Sequence, residues 1–107
     1  TGAKNATEAR TNLGIAATSL YNGTLTSGSI TFNYGNYNFY VIIGRPSSTA
    51  SRASLVVPKI MLTTSAVSFQ IADESNYKSF NLSYSGSLVT LAVQGGNGQI
   101  NRVFGIN

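Results

Sequence analysis

Val67-Ser-Phe-Gln-Ile-Ala72 and Tyr77-Lys-Ser-Phe-Asn-Leu-Ser-Tyr84 place apolar side chains at Val67, Phe69 and Ile71 and again at Phe80, Leu82 and Tyr84. A step of two residues is the repeat of a β-strand, whose successive side chains point to opposite faces. The same reading extends in both directions. Towards the C-terminus, residues 87–94 contain Leu-Val-Thr-Leu-Ala-Val, and residues 100–106 follow a Gly-rich turn. Towards the N-terminus, strands are expected at 59–63, at 53–57 before Pro58, at 38–44, and at 29–33 and 24–26 on either side of Gly28. From about Ser19 onward β-branched and aromatic residues dominate, as strands require. Short strands broken by frequent turns predict a mainly β chain, an antiparallel β-sandwich of jelly-roll-like form.

Two segments, Phe39-Tyr-Val-Ile-Ile43 and Leu88 to Val93, read as apolar on both faces. Each then needs cover on both sides. A sandwich covers one; the other requires a third layer or a partner chain, and in a chain of 107 residues the partner chain is favoured.

The first residues follow a different rule. Asn5-Ala-Thr-Glu8 has capping-box spacing, so a helix is expected to start near Ala6. Gly14 can end it in a left-handed conformation, leaving about eight residues, too few to be stable alone. Its apolar stripe, Ala6, Ala9 and Leu13, is narrow and small, suited to helices meeting about an axis. The chain therefore divides into a helical connector, 1–18, and a sandwich, 19–107. It opens on Thr1 rather than Met, which reads as a piece of something longer.

Only 9% of residues are charged, against about a quarter in ordinary soluble domains. Ser, Thr, Asn and Gly make the exterior polar without charge, and self-association can hide more of it. The seven cations outweigh three acids for a net charge of +4. They are scattered along the chain with no basic run, unlike the clustered stripe of a nucleic-acid binder. No apolar run approaches the ~18 residues of a membrane span, so no membrane insertion is expected.

Catalysis finds little to work with. The chain has no His and no Cys, hence no base near neutral pH and no thiolate. The acids are Glu8, Asp73 and Glu74, and the adjacent pair could face each other across a sugar at the ~5–10 Å a glycosidase needs only across a trimer interface. Neither a zinc set nor a calcium loop is present, so no metal or cofactor is expected. Gln94-Gly-Gly-Asn-Gly-Gln99 lacks the Lys-Ser/Thr of a phosphate loop and reads as a flexible hairpin.

The two ends of the chain carry a resemblance. Thr1-Gly-Ala-Lys-Asn-Ala-Thr-Glu-Ala-Arg-Thr-Asn-Leu-Gly-Ile15 resembles the connector that recurs in tail fibres of phages and prophages, where a shaft meets a distal domain. Leu20-Tyr-Asn-Gly-Thr-Leu-Thr-Ser-Gly-Ser-Ile-Thr-Phe32, Tyr37-Asn-Phe-Tyr-Val-Ile-Ile43 and Ile100-Asn-Arg-Val-Phe-Gly-Ile106 are similar to the opening and closing strands of the sandwiches that end such fibres. Lys4 and Asn5 stand where those connectors more often have small residues. The resemblance implies a non-enzymatic homotrimer at the distal end of a virion fibre, its connectors packed through Ala6, Ala9 and Leu13. Its sandwiches would touch a bacterial surface glycan, lipopolysaccharide or outer-membrane protein. The alternative is a structural domain that trimerises and caps the fibre without touching a receptor.

Three stretches are candidate contact surfaces. Tyr34, Asn36 and Tyr37 lie in a run where aromatic rings alternate with amides, a combination that gives contact area at low entropic cost. Phe32 and Phe39 in the same run read as core, and the tyrosines serve equally well as interface lining. Arg45 and Arg52 bound a polar loop and can pair with phosphate or acidic sugar. Asn76, Tyr77 and Lys78 form the third. For the second and third stretches an ordinary solvated loop is the commoner reading.

Overall fold

The computed structural model describes Asn5, Ala6, Glu8 and residues 17–107. The expected helix, with Ala9, Leu13 and most of the 1–18 connector, lies outside the described residues. Within it, the Glu8 N–H donates to Asn5 Oδ1 at 2.8 Å, the bond the capping spacing asks for, and Ala6 is exposed.

Eight strands follow: β1 (Ala17–Leu25), β2 (Ser29–Asn33), β3 (Phe39–Arg45), β4 (Ala53–Pro58), β5 (Val67–Ala72), β6 (Tyr77–Ser85), β7 (Leu88–Val93) and β8 (Gln99–Ile106). They form two antiparallel sheets, ordered β1-β8-β3-β4 and β2-β7-β6-β5. The chain changes sheet at β1–β2, β2–β3, β4–β5 and β7–β8. Pairing of β1 with β8 and β2 with β7 sets the first two strands against the last two, as a jelly roll does. The wrap stops there. β3–β4 and β5–β6 are hairpins within their own sheets, where a full jelly roll would exchange strands between sheets.

The alternating residues on β5 and β6 do what their spacing dictates. Ile71, Phe80 and Leu82 turn inward with Val89, Leu91 and Val93 of β7, and meet Tyr40 and Ile42 of β3, Val57 of β4, and Ile100 and Val103 of β8. Phe32 of one sheet meets Tyr40 of the other edge to face, with centroids 5.5 Å apart. The β6–β7 turn spans two residues, and Gly86 takes φ +60° in its first position, as the type II′ hairpin turn requires.

A bulge in β8 interrupts its register with β3 between Ile43 and Gly44, with Asn101 as the extra residue. A Cβ on Gly44 would fall 2.4 Å from the Gln99 carbonyl oxygen. Glycine is therefore what lets β3 pass this close to the bulged strand.

The two outward faces differ in kind. On the β2-β7-β6-β5 sheet, alternation presents Thr31, Asn33, Thr90, Ala92, Asn81, Ser83, Ser68 and Gln70 outward. Leu88–Val93 is apolar throughout only on its inner face: outward, Thr90 and Ala92 sit among hydroxyls and amides, and Leu88, 47% exposed, stands between Asn33 and Ser85. Phe39–Ile43 keeps its doubly apolar character. Tyr40 and Ile42 are buried between the sheets, while Phe39, Val41 and Ile43 point out and are half-buried. Phe104 and Ile106 of β8 and the exposed Val56 of β4 join them on the outward face.

Three expectations change. Residues 59–63 hold a 3₁₀ turn, Lys59–Met61, because the chain must leave the edge of one sheet here for the edge of the other. The first strand begins at Ala17 and reaches Leu25 with two register shifts, where only 24–26 had been expected. The Gly-rich 94–98 segment is not a hairpin, since β7 and β8 lie in different sheets.

Leu82 is fully buried, so Leu82→Ala is expected to cost about 2–5 kcal/mol. Gly44→Ala drives a methyl group into backbone and is expected to cost about 1–3 kcal/mol. Urea unfolding followed by circular dichroism measures both.

Candidate functional site

Antiparallel pairing sorts the loops into two groups at opposite ends of the sandwich. At one end β1 begins and β8 finishes, together with the connections 34–38, 59–66 and 86–87. At the other lie four loops, 26–28, 46–52, 73–76 and 94–98.

Tyr34, Asn36 and Tyr37 belong to the first end. Tyr34 is half-buried, stacked on Tyr84 with centroids 4.6 Å apart. Lys59 Nζ lies 3.9 Å from the centre of the Tyr34 ring and donates to the Gly35 carbonyl. Tyr37 packs edge to face on Tyr40 at 6.0 Å and against Gly105. The two rings therefore plug the end of the core, and Asn36 stands exposed beside them. Lys59 and Tyr84 complete this cluster. Their distance along the chain, about 25 and 50 residues from Tyr34, hid them from a local reading of the sequence.

Beneath the plug, Tyr40 is fully buried, and its hydroxyl donates to the Tyr34 carbonyl at 2.6 Å. Burial, with smaller contributions from the neighbouring Tyr34 and Tyr37, pushes its pKa up to about 12. The neutral phenol is the form the fold holds, so the contribution of Tyr40 is complete below pH ~10 and disappears as pH rises towards ~12.

Arg45, Arg52, Asn76, Tyr77 and Lys78 belong to the second end. Three of its segments converge on Gly98. Its N–H donates to the Tyr77 carbonyl at 2.9 Å, and a Cβ there would fall 2.4 Å from the Arg45 carbonyl oxygen and 2.8 Å from the Lys78 Cβ. The Gly-rich crossing is further strapped to β6: Gln94 N–H donates to Ser79 O, Ser79 N–H to Gly95 O, and Gly95 N–H to Ser79 Oγ. Gly96, at φ +100°, leaves no room for a side chain beside Tyr77. The loop that read as flexible is a fixed backbone shelf, with the 42%-exposed Tyr77 ring lying alongside it.

Lys78 is a correction. It is 3% exposed, and its ammonium donates to Thr26 O at 3.1 Å and Gly96 O at 2.8 Å. It ties two crossings to β6 from below and presents nothing to a ligand. The alternation that places Phe80 and Leu82 inside places Lys78 inside as well, a signal present in the sequence and overridden by its charge.

The surface that remains combines Tyr77, the bonded amides Asn76 and Asn97 (Nδ2 to Oδ1, 2.8 Å), exposed Arg52 and half-buried Arg45. Arg45 reaches the Ser48 carbonyl through one terminal nitrogen at 3.1 Å, while its Nε has no acceptor. Asp73 is committed to the turn, its Oδ1 accepting from the Ser75 and Asn76 N–H groups at 2.9 and 2.8 Å. Among the described residues no three His, Cys, Asp or Glu side chains gather to hold a metal ion. An aromatic face, amides and guanidinium groups at one end of the sandwich offer stacking, neutral hydrogen bonds and anion pairing, the chemistry of a polar or acidic sugar.

Set against known proteins, the chain matches no family model, no curated protein and no solved structure. Function therefore rests on the geometry of the two ends.

Lys78→Met leaves two carbonyls without their donor and is expected to cost about 1–3 kcal/mol in urea unfolding. Tyr40→Phe is expected to narrow its stability gap to the parent protein between pH ~10 and ~12, by about 1.4 kcal/mol per pH unit. A tyrosinate absorbance titration alongside unfolding at each pH measures it.

Proposed function

We propose that the chain is the tip domain of a trimeric tail fibre, an adhesin without enzymatic activity that meets a bacterial surface glycan or outer-membrane protein through its four-loop end. The observation that carries this reading is the segregation of the two ends. β1 enters and β8 leaves at one end, whereas Arg45, Arg52, Asn76 and Tyr77 gather at the other. A connector running into β1 from a shaft then holds the sandwich by its plugged end and turns the loops towards the host.

Within this reading the tyrosines divide. Tyr34 and Tyr37 serve packing where the connector arrives, and Tyr77 serves contact. Arginine at 45 and 52 favours a receptor that carries phosphate or acidic sugar, because guanidinium pairs with such groups in a forked geometry. Ala6, Ala9 and Leu13 would bring three connectors together about the axis.

Binding of labelled protein to a panel of bacteria and their purified lipopolysaccharides tests the proposal. Tyr77→Ala combined with Arg52→Ala is expected to weaken binding at least about tenfold, consistent with loss of one aromatic and one Arg contact at ~1 kcal/mol or more each, while Asn36→Ala at the opposite end leaves it unchanged. A protein that assembles but binds no cells would leave the domain a structural cap.

A further inference from the structure

Asparagine followed by glycine occurs twice in the chain, at Asn22-Gly23 and at Asn97-Gly98. Such a pair is chemically unstable, because the backbone nitrogen after the asparagine can attack the side-chain amide carbon, and glycine puts no side chain in its way. In an unfolded chain the two pairs differ only in their neighbours. The fold makes them unequal.

Asn97-Gly98 is held. The nitrogen that would attack belongs to Gly98, which is buried and donates its N–H to the Tyr77 carbonyl at 2.9 Å. The amide that would be attacked donates to Asn76 Oδ1 at 2.8 Å. The carbonyl oxygens of Arg45 and Pro46 crowd Gly98, 2.4 and 2.9 Å from where a Cβ would lie, so the segment cannot turn without opening the shelf. Asn22-Gly23 lies on β1, the edge strand of its sheet, with both residues exposed. The ladder to β8 breaks here. Asn22 pairs with Arg102 and Leu25 with Ile100, so Gly23 and Thr24 together oppose Asn101 alone. A continuous ladder keeps the backbone extended and the side-chain carbon away from the next nitrogen, and the extra residue of a bulge relaxes that hold. Asn101 Nδ2 donates to the Gly23 carbonyl at 3.2 Å, an atom that takes no part in the attack.

We infer that Asn22-Gly23 is a site at which the chain modifies itself, with water as the co-reactant. The Gly23 nitrogen bonds to Asn22 Cγ, the Cγ–Nδ2 bond breaks, and ammonia leaves with the proton from the attacking nitrogen, closing a cyclic imide. Water then opens the ring at either carbonyl, giving aspartate or, where the chain comes to run through the former side chain, isoaspartate. The net change is water in and ammonia out, with nothing oxidised or reduced. Both products carry a carboxylate at position 22 and lower the net charge of +4 by one. Their structural effects differ. Aspartate stands opposite Arg102, an opposite-charge pair that supports the pairing of β1 with β8. Isoaspartate adds a carbon to the backbone and puts the two sides of position 22 out of step along β8, in a strand whose register decides which side chains face the core. The inference is independent of the adhesin reading.

Peptide mapping by mass spectrometry of the whole chain, aged in mildly alkaline buffer, tests the assignment, with an isoaspartyl methyltransferase marking the isoaspartate. In the folded protein Asn22 is expected to convert at least about tenfold faster than Asn97, since reaction at Asn97 waits for the shelf to open. In urea the two rates are expected to come within about threefold of each other, because the opening step is then gone. Asn22→Gln, a change at an exposed position that lengthens the side chain, is expected to stop conversion at 22 and leave the rate at Asn97 as it was. Equal rates in the folded protein, or a faster rate at Asn97, would overturn the inference. So would a rate at Asn22 that rises on unfolding as steeply as the rate at Asn97, since β1 would then protect its pair as well as the shelf does.

Discussion

The meeting of two apolar inner faces is the constraint on which the rest of the molecule depends. No cysteine is available to staple the chain, and the described residues hold it together by packing Tyr40, Ile42, Val57, Ile100 and Val103 against Phe80, Leu82, Val89 and Leu91. Once those faces are joined, the chain ends have limited freedom. β1 must pair with β8 and β2 with β7 for both sheets to be complete, and this pairing gathers the four loops at the end away from the start of β1 and the finish of β8. The candidate contact surface is in that sense a by-product of how the core closes.

The core was legible in the sequence because β5 and β6 alternate cleanly, with a hydroxyl or amide opposite most apolar residues. Where alternation is blurred, the reading failed for identifiable reasons. Ile60, Met61 and Leu62 are consecutive apolar residues that looked like part of a strand. The chain is crossing between sheets there, and only Leu62 goes inside. Leu88–Val93 looked apolar throughout because alanine counts as apolar, although Thr90 and Ala92 leave Leu88 as the one large apolar side chain on its outward face. Sheet order was beyond reach, since nothing in the spacing says whether the third strand pairs with the fourth or the sixth.

The candidate site was half legible. Local composition picked out aromatic rings and arginines but could not tell a plug from a contact surface, and Tyr34 and Tyr37 proved to be the plug. Lys78 was assigned to the surface because lysine is rarely buried. Its place on β6, two residues before Phe80, outweighs that preference. The two carbonyls that receive its ammonium lie about 52 and 18 residues away and could not have been foreseen. Gly95, Gly96 and Gly98, which looked like slack, are where three segments touch.

The loops at the far end are not equally free to change. The 94–98 crossing is held from several directions and admits almost no side chain at Gly96 or Gly98. The 46–52 loop begins on the buried Pro46, but its remaining residues are half-buried or exposed. The strands on either side of it close on the pair Gly44 and Ala53 whatever lies between. Additional residues there would lengthen a surface loop at small entropic cost. The architecture thus separates a fixed platform from one variable arm, so a new binding specificity could be grafted onto the arm without redesigning the platform.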